Sequence, residues 1–420
     1  MRAWLYDEDR WPSGAAGGLV TKDDPKYRTR RLFIYVCPNG IIPEDFPEDC
    51  GKPVTAAFLK KSGAIALFGA KILSTDSLAV AMGGVSPSTA VSEKKKNGGI
   101  WSASSVRRLS LAKDPAVLDG ESIIFARIEI ADTSSWFNGG AYLDTLNPDA
   151  TKQFIKVTHD AYAKDLGKDL GGIVPGIFTD EPNHANVVFL EREGKDGSAQ
   201  IGLVWTDKLP AAFRKLYGYD IMPRLLELVF DIEGVDSHSV RHNFNNCVTE
   251  LFTKGFMKQI GDWCEKHKCE FTGHVLEEDT LTSQTNKVGS CMRCYEWMQA
   301  PGIDMLTEND RPFSIPKQLS SVAHQFGRKW RLSELYGCTG WDFSFAGQKA
   351  TGDWQLALGV NLRCQHLAWY TMLGQAKRDY PACIFYQSPW WEQYNKVEDY
   401  FGRVHTIMTQ GEEVRDILLL

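Results

Sequence analysis

Several classes of protein are excluded by what this sequence does not contain. No apolar run approaches the ~18 residues that a membrane-spanning helix needs, so no membrane segment is predicted. The apolar stretch near Met1 is too short, and too soon interrupted by acids, to be a signal peptide. Acidic residues outnumber basic ones, and the net charge of −6 leaves no basic surface of the kind that binds nucleic acids.

The motifs of several common enzyme classes are also missing. No GxGxxG or P-loop follows a predicted strand, no GxSxG surrounds a serine, and no HExxH occurs. These absences argue against a dinucleotide-binding protein, a serine hydrolase with a nucleophile elbow, and a zinc peptidase. The ten cysteines have no small-scaffold spacing, so a reducing compartment such as the cytoplasm is favoured over a disulfide framework. The pair Cys291 and Cys294 lacks the second pair that a structural zinc site needs.

One stretch, from Gly176 to His184, combines a buried strand with acidic residues at its end. The residues before Asp180 are mostly apolar, which is typical of a strand covered on both faces. Pro182 cannot continue a β-ladder, so Asp180 and Glu181 fall at the carboxyl end of the strand. Enzymes built on parallel sheets keep their chemistry at this end, although acids there are also ordinary turn formers.

The same pattern recurs along the chain and predicts the fold class. Asn147 and Pro148 predict a helix start, a short helix is predicted at Met222–Ile232, and a long one from Ser239 to His267. Helices alternate with further strands at Lys268–Val275, Gly302–Leu306, Lys329–Tyr336 and Gln365–Met372. This alternation favours an α/β fold of the (β/α)8 TIM-barrel type. We count about seven barrel strands from Trp4 to Tyr370 and expect the first strand to precede Met1. An open, doubly wound sheet is the alternative.

Residues 33–130 do not follow this alternation. Short β-prone segments, such as Ala56–Lys61 and Ser122–Ile130, are separated by glycine, proline, serine and lysine. Turn signals at such close spacing are typical of an all-β unit. We therefore predict a small β-rich domain at 33–130, inserted into a barrel that is formed by residues 1–32 and 131–420.

Two glutamates at strand ends are candidates for acid–base chemistry on a glycosidic bond. Glu181 and Glu334 lie on strands that we expect to face each other across the barrel mouth, and glycoside hydrolysis requires such a carboxylate pair. Asp180 is an alternative to Glu181 as the working acid, and a salt bridge at a strand end is the structural alternative for Glu334. His274 is either a satisfied core histidine or a ligand for a sugar hydroxyl or a cation. Tyr336 is placed to hydrogen-bond Glu334 or the substrate.

Aromatic residues beside these acids favour a carbohydrate as the substrate. The chain has 13 tryptophans, many of them in its last third. The paired Trp390 and Trp391 form a possible platform for a sugar ring, or else they plug the barrel rim. We include Trp341, seven residues after Glu334, among the substrate-binding candidates.

In this order, several motifs resemble the catalytic barrel of glycoside hydrolase family 106, the α-L-rhamnosidases. They are WLYDEDRWPSGAAGG, GIFTDEPNH, FTGHVLEED, PGIDML and SELYGCTGWDF, and the resemblance covers most of the chain outside 33–130. It implies an inverting hydrolase of rhamnose-containing plant or microbial glycans, with calcium at the active site. Carried over by motif, Glu181 is the general acid and Glu334 the general base. The resemblance does not assign the calcium ligands, for which Asp7, Glu8 and Glu277 are candidates.

Two other functions are compatible with the sequence. One is a non-catalytic carbohydrate-binding barrel, and the other is a retaining glycosidase of the β-galactosidase type. A carboxyl separation of roughly 5 Å predicts retention, and one of about 6.5–9.5 Å predicts inversion.

Overall fold

The computed structural model describes residues 4–7, 9, 11–78, 100–184, 188–194, 196–308, 312–368, 373, 384–411 and 414. No helix among these residues has the length and apolar character needed to cross a bilayer. In this part of the chain the strands are β1 (Leu5–Tyr6), β2 (Arg30–Pro38), β3 (Ala64–Leu78), β4 (Ile100–Arg108), β5 (Ser122–Ile130), β6 (Gly176–Thr179), β7 (Val188–Glu193), β8 (Ala199–Trp205), β9 (Phe230–Ile232), β10 (Glu270–Gly273), β11 (Ala300–Asp304), β12 (Leu332–Leu335) and β13 (Leu362–Gln365).

The α-helices lie mainly between the strands of the second half of the chain. They are α1 (Ala56–Ser62), α2 (Pro148–Val157), α3 (His159–Leu166), α4 (Leu209–Tyr217), α5 (Ser237–Phe252), α6 (Lys258–Lys266), α7 (Leu281–Lys287), α8 (Cys291–Tyr295), α9 (Ser314–Gln325), α10 (Phe345–Ala357) and α11 (Asn395–Met408). The predicted long helix is confirmed as α5 and α6, joined by a π-helical turn at Thr253–Met257.

Six short strands form the parallel sheet that positions the site. Their order is β1-β6-β10-β11-β12-β13, which is also their order in the chain, and every neighbouring pair is parallel. Ile177 and Phe271 are buried on the central strands, as expected for a sheet covered by helices. Consecutive parallel strands with helical crossovers confirm the α/β class. The described residues contain six strands of this kind, fewer than the eight of a complete barrel.

Helix starts in this region follow local sequence chemistry. At α2 the Asn147 side chain accepts a hydrogen bond from the Asp149 amide, and Pro148 occupies the first turn, as the sequence predicts. At α7 the side chains of Thr280 and Ser283 cap each other's backbone amides. These caps set where each crossover helix begins, and therefore how long the loops above the sheet are.

A second sheet is mainly antiparallel and has seven strands, in the order β7-β8-β2-β5-β3-β4-β9. The pairing of β2 with β5 runs through nine residue pairs, from Arg30 with Ile130 to Pro38 with Ser122. The sheet confirms β-structure within 33–130, but it also recruits β7, β8 and β9 from residues 188–232, which the sequence does not assign to it. The division of the chain into domains stays a prediction.

Three local predictions are wrong. Ala56–Lys61 forms a helix, because Thr55 caps its start and Gly63 ends it in a left-handed conformation. Met222–Ile232 has an apolar pattern that predicts a helix, but it forms a 3₁₀ turn and then β9, which pairs with β4. The last strand is centred earlier than Gln365–Met372, at Leu362–Gln365, and residues 369–372 lie outside the described part of the chain.

Candidate active site

The carboxyl ends of four adjacent parallel strands bring the polar side chains together. Asp180 and Glu181 follow β6, His274 follows β10, Asp304 ends β11, and Glu334 lies in β12. Because parallel strands present these ends at one edge, residues up to 154 positions apart in sequence share a single acidic pocket. We use the name acidic pocket for these five residues.

His274 is the centre of the acidic pocket. Its Nε2 lies 3.1 Å from an oxygen of Asp180 and 3.7 Å from one of Asp304. Its Nδ1 lies 3.6 Å from an oxygen of Glu334. The imidazole is almost completely buried, so it is neither a surface residue nor a histidine packed only against apolar neighbours. The structure thus places three predicted site residues in direct contact.

The charges of the pocket shift the pKa of each member. Burial alone would lower the pKa of His274, but the charges of Asp304, Asp180 and Glu334 raise it well above its ordinary value. Burial raises the pKa of Glu181 to about 7 and that of Glu334 to about 8, while the His274 charge opposes both shifts. At neutral pH the pocket therefore holds an imidazolium beside two carboxyls whose pKa values lie near neutrality, so each can give or take a proton.

Asp180 is held in place by the segment after β1. The Tyr6 hydroxyl donates a 2.5 Å hydrogen bond to its carboxylate. Ser13 Oγ accepts from the Asp180 amide at 2.8 Å, and the Ser13 amide donates to the Asp180 carbonyl at 2.7 Å. Burial would raise the pKa of Asp180, but the bond and charge of His274, with the Tyr6 bond, lower it. Asp180 is therefore the permanent anion of the pocket.

Backbone strain marks the loops directly after the central strands. Glu181 has a φ of 50°, Glu277 a φ of 55° and Tyr336 a φ of 76°, all in the left-handed region that residues other than glycine rarely adopt. The carbonyl of Glu181 accepts a 3.0 Å hydrogen bond from the Asn183 side chain, which stabilises the turn. Strain of this kind concentrates at active sites, where neighbouring contacts maintain it.

A second layer supports Asp304, and neither Asp304 nor this layer is predicted from the sequence. Buried Glu278 accepts hydrogen bonds from the Tyr295 hydroxyl and, at 2.9 Å, from the Asp304 amide. Burial raises the pKa of Glu278 to about 8. The available signal for Asp304 was an acid inside the apolar segment Gly302–Leu306, but a turn-forming aspartate gives the same signal.

Tyr336 has a different place from the one that the sequence suggests. Its side chain is fully buried, and its hydroxyl donates to the Gln348 carbonyl at 2.9 Å and accepts from Arg363 at 3.2 Å. The predicted hydrogen bond to Glu334 or a substrate is therefore not formed. The left-handed backbone turns the Tyr336 ring away from the strand end and into a local hydrophobic cluster with Phe343.

Two of the three predicted tryptophans line one open cleft. The cleft has a volume of about 530 Å³ and is bordered by Trp341, Phe343, Phe345 and Trp390, with Asp342 at its side. It is built on the loop that follows β12, and therefore on the segment directly after Glu334. Trp391 is half exposed and stacks on Tyr394 at 6.0 Å, outside the residues that line the cleft.

Two sets of three side chains in the described residues could hold a metal ion. They are Asp180, His274 and Glu334, and Glu181, His274 and Asp304, each with ligand atoms within 4.8 Å of one another. Of the metal candidates, Asp7 and Glu277 are in neither set. Asp7 is buried and accepts a 2.6 Å hydrogen bond from Ser13, and burial raises its pKa to about 7. Glu8 lies outside the described residues.

Comparisons with known proteins place the chain in a family. Residues 138–420 match the family model described as alpha-L-rhamnosidase, well over half of the chain. A putative beta-glucuronidase of Formosa agariphila is 26% identical over 222 residues, which are 51% of this chain and 18% of that protein.

A solved structure has a similar fold. A rhamnosidase from Novosphingobium sp. PP1Y matches with a TM-score of 0.52 and 14% sequence identity, over 91% of this chain and 41% of that one. At this identity the likeness shows the fold alone. The chain spans less than half the length of either relative.

Proposed function

The chain belongs to the family described as alpha-L-rhamnosidase, and from this membership we propose that it hydrolyses terminal α-L-rhamnosyl or related residues of plant or microbial glycans. The observation that supports the reaction most directly is the acidic pocket, where Glu181 and Glu334 are both largely buried and both titrate near neutral pH. Cleavage of a glycosidic bond typically requires such a pair of carboxyl groups.

We assign Glu181 as general acid and Glu334 as general base. Glu181 would protonate the leaving oxygen, since a carboxyl with a pKa near 7 still carries its proton at working pH. Glu334 would take a proton from the water that attacks the anomeric carbon, and it can do so only in the fraction of molecules in which it is ionised, because its pKa of about 8 lies above neutrality. This pairing gives inversion at that carbon, whereas direct attack by the second carboxylate would give retention.

The other members of the acidic pocket would bind the sugar. Asp180 stays ionised and can accept hydrogen bonds from two adjacent hydroxyls, and the His274 imidazolium balances its charge. The cleft beside Trp341 and Trp390 would receive a more distant ring of the glycan, because indole faces bind the apolar faces of rings.

The charge of the pocket favours a neutral sugar over a uronic acid. Asp180, Glu181, Asp304 and Glu334 all surround the place of the substrate, with His274 as the basic member. The carboxylate of a glucuronide would face the ionised Asp180 and would add a further negative charge beside Glu181 and Glu334, which costs binding free energy. A relative named as a beta-glucuronidase therefore supplies a control substrate rather than a second proposal.

We also propose calcium as a bound ion. Calcium takes oxygen ligands, and carboxylates make up all but one of the side chains in the two possible metal sets, so the donors fit. Asp180 and Asp304, whose carboxylates both lie beside His274 Nε2, would hold it. When bound, the ion would supply positive charge that orients sugar hydroxyls. The melting temperature should rise with calcium and fall with chelator, and Asp304→Asn should abolish the difference; an unchanged melting temperature in wild type would refute calcium binding.

The parallel sheet is, in our proposal, part of a complete (β/α)8 barrel. Its six strands follow one another in chain order, as barrel strands do. Closure requires two more parallel strands between β13 and β1, which an experimental structure of the protein can reveal. A gap between those edges would leave an open sheet.

The first experiment compares leaving groups. Wild type and Glu181→Gln would be assayed on 4-nitrophenyl α-L-rhamnoside and on a rhamnosyl disaccharide, with the 4-nitrophenyl glucuronide as control. A nitrophenolate leaves without protonation, so Glu181→Gln should lose about 10²–10⁴-fold on the disaccharide and far less on the aryl substrate. Equal losses on both substrates would remove Glu181 from the acid role.

The base has its own test. Glu334→Ala should be inactive on both substrates and should recover turnover with azide, which replaces the attacking water. An NMR spectrum of the first product distinguishes inversion from retention. A folded wild-type protein that binds rhamnosides without turning any over would favour the carbohydrate-binding alternative.

A further inference from the structure

Two exposed tryptophans lie outside every group described so far. Trp11 is 52% exposed and Trp136 is 48% exposed. Their ring centroids are 6.1 Å apart, with an angle of 66° between the planes. A single exposed apolar side chain is ordinary, but two large rings held together at the surface form a patch, and such patches often mark binding sites.

The two rings are held in a fixed arrangement. Trp136 Nε1 donates a 3.2 Å hydrogen bond to the Trp11 carbonyl, although 125 positions separate the residues. Asn138 Nδ2 donates to Asp9 at 3.0 Å and links the same two loops a second time. The Gly18 backbone packs so closely on the Phe137 carbonyl that a Cβ there would lie at 2.4 Å. Rigid aromatic groups bind a ligand with little loss of side-chain entropy.

The loop that carries Trp11 also supports the acidic pocket. Ser13, two residues on, exchanges two hydrogen bonds with the Asp180 backbone, at 2.7 and 2.8 Å. The Tyr142 hydroxyl donates to the Ser13 carbonyl at 2.8 Å, which joins the loop of Trp136 to the same point. Two residues span at most ~7 Å, so the Trp11 backbone lies within about one sugar length of the Ser13 backbone.

We propose that Trp11 and Trp136 form a subsite for the pyranose ring next to the cleaved sugar. This inference rests on the proposed function, because the acidic pocket must hold the terminal residue. A pyranose has an apolar C–H face that suits the electron-rich face of an indole. Asp9, bonded to the same loop, can accept hydrogen bonds from its hydroxyls. A charged ring is not favoured here, because the neighbouring side chains Asp9 and Asp180 are acidic.

The test measures binding to the full chain with turnover blocked by Glu334→Gln. The ligands are methyl α-L-rhamnoside, which needs only the pocket, and a rhamnosyl-hexose disaccharide. In this background Trp11→Ala should lower the affinity for the disaccharide ~10-fold and leave the affinity for the methyl glycoside unchanged, since one stacking contact contributes about that factor. Trp136→Ala should act in the same direction. The tryptophan fluorescence change on binding the disaccharide should shrink in both.

Trp330→Ala is the matched control, because this half-buried tryptophan precedes β12 and lies at the opposite end of the parallel strands. It should leave both affinities unchanged. If Trp11→Ala fails to fold, Trp11→Phe and Trp136→Phe keep a smaller ring and should still lower the disaccharide affinity selectively. If the ratio of the disaccharide affinity to the methyl glycoside affinity is unchanged in all these variants, the proposed subsite is wrong.

Two further results separate this subsite from the proposed function. If the wild-type protein does not bind rhamnosides but binds another disaccharide, the rhamnoside assignment is wrong. The effect of Trp11→Ala on the affinity for that disaccharide then tests the subsite. If Trp11→Ala weakens only aryl rhamnosides, the occupant is an aromatic aglycone and the pyranose assignment is wrong.

Discussion

The two sheets treat a buried glutamate in opposite ways. In the antiparallel sheet Glu121, 2% exposed, accepts two hydrogen bonds from the Arg107 guanidinium and one from the Leu118 amide. These bonds, led by that of Arg107, lower the pKa of Glu121. In the parallel sheet Glu334, 8% exposed, has only histidines as basic side chains near it, His274 Nδ1 at 3.6 Å and His366 Nε2 at 3.8 Å among the described residues, and burial raises its pKa to about 8.

The comparison shows when a buried carboxyl group serves stability and when it serves catalysis. A buried carboxylate with a guanidinium is electrostatically neutral and stabilises the fold, whereas several carboxylates that share one imidazolium compete for its charge. Strand length contributes as well. The paired strands β2 and β5 continue for nine residues, but β6, β10 and β12 have four each, so their charged ends crowd into one pocket.

Removing the shared cation should have the largest effect. His274→Gln keeps a similar volume but removes the positive charge, and kcat/KM should fall about 10²–10⁴-fold. His274 lowers the pKa of Glu181 and of Glu334, so both carboxyls should titrate at higher pH in the variant and the activity profile should move to alkaline pH. The pH dependence of kcat/KM measures both effects. A profile that keeps its wild-type position would show that His274 only fills space.

The sequence predicted the acidic pocket better than its surroundings. Asp180, Glu181, His274 and Glu334 follow or end apolar segments, and that simple signal places them at one sheet edge. For Asp304 this signal, an acid beside apolar residues, is weaker. The contacts of Tyr336 depend on one left-handed backbone residue, which no local pattern encodes.

Long-range pairing limited the fold prediction. The segment Phe230–Ile232 becomes a strand because β4 offers it an edge, not because its own sequence favours one. β7 and β8 lie about 150 residues after β2 and still complete its sheet. The helix start at Asn147 was accessible to sequence reasoning, because caps are local. The cap at Thr55 is equally local, but the β-prone composition of the segment after it outweighed that signal.

Asp144 tests whether a raised pKa alone marks function. It lies outside the acidic pocket, fully buried before α2, and accepts a 2.7 Å hydrogen bond from Thr206. Burial raises its pKa to about 7. The folded state thus holds a proton that the unfolded chain releases above pH ~4, so Asp144 should lower stability progressively from about pH 4 to 7.

Asp144→Asn should remove this dependence. The variant should gain on the order of 2–4 kcal/mol relative to wild type when pH rises from 4 to 8, with activity unchanged. Urea unfolding at the two pH values measures the gain. An equal pH slope in both proteins would mean that Asp144 is ionised at neutral pH.

Breaking the ion pair of the antiparallel sheet should have a moderate effect on stability and none on turnover. Glu121→Gln leaves Arg107 without its counter-charge, and because that arginine is 34% exposed we expect a loss of about 1–2 kcal/mol. Glu181→Gln is the matched change in the acidic pocket and should be neutral or stabilising at pH 8, since its charged form is disfavoured. Urea unfolding of both variants checks the opposite signs. Two losses of equal size would erase the distinction between the sheets.

The smallest expected effect concerns the cleft after β12. Trp390→Ala removes an indole that lines the cleft and packs on Phe345, with ring centroids 5.3 Å apart, so KM for a rhamnosyl trisaccharide should rise about tenfold with little change in kcat. Trp391→Ala is the control, because that ring stacks on Tyr394 outside the lining residues. Equal KM values for the two variants would show that Trp390 and Trp391 fill the barrel rim and do not bind the substrate. A fall in kcat for Trp390→Ala alone would instead couple the cleft to Glu334, since both depend on the loop that follows β12.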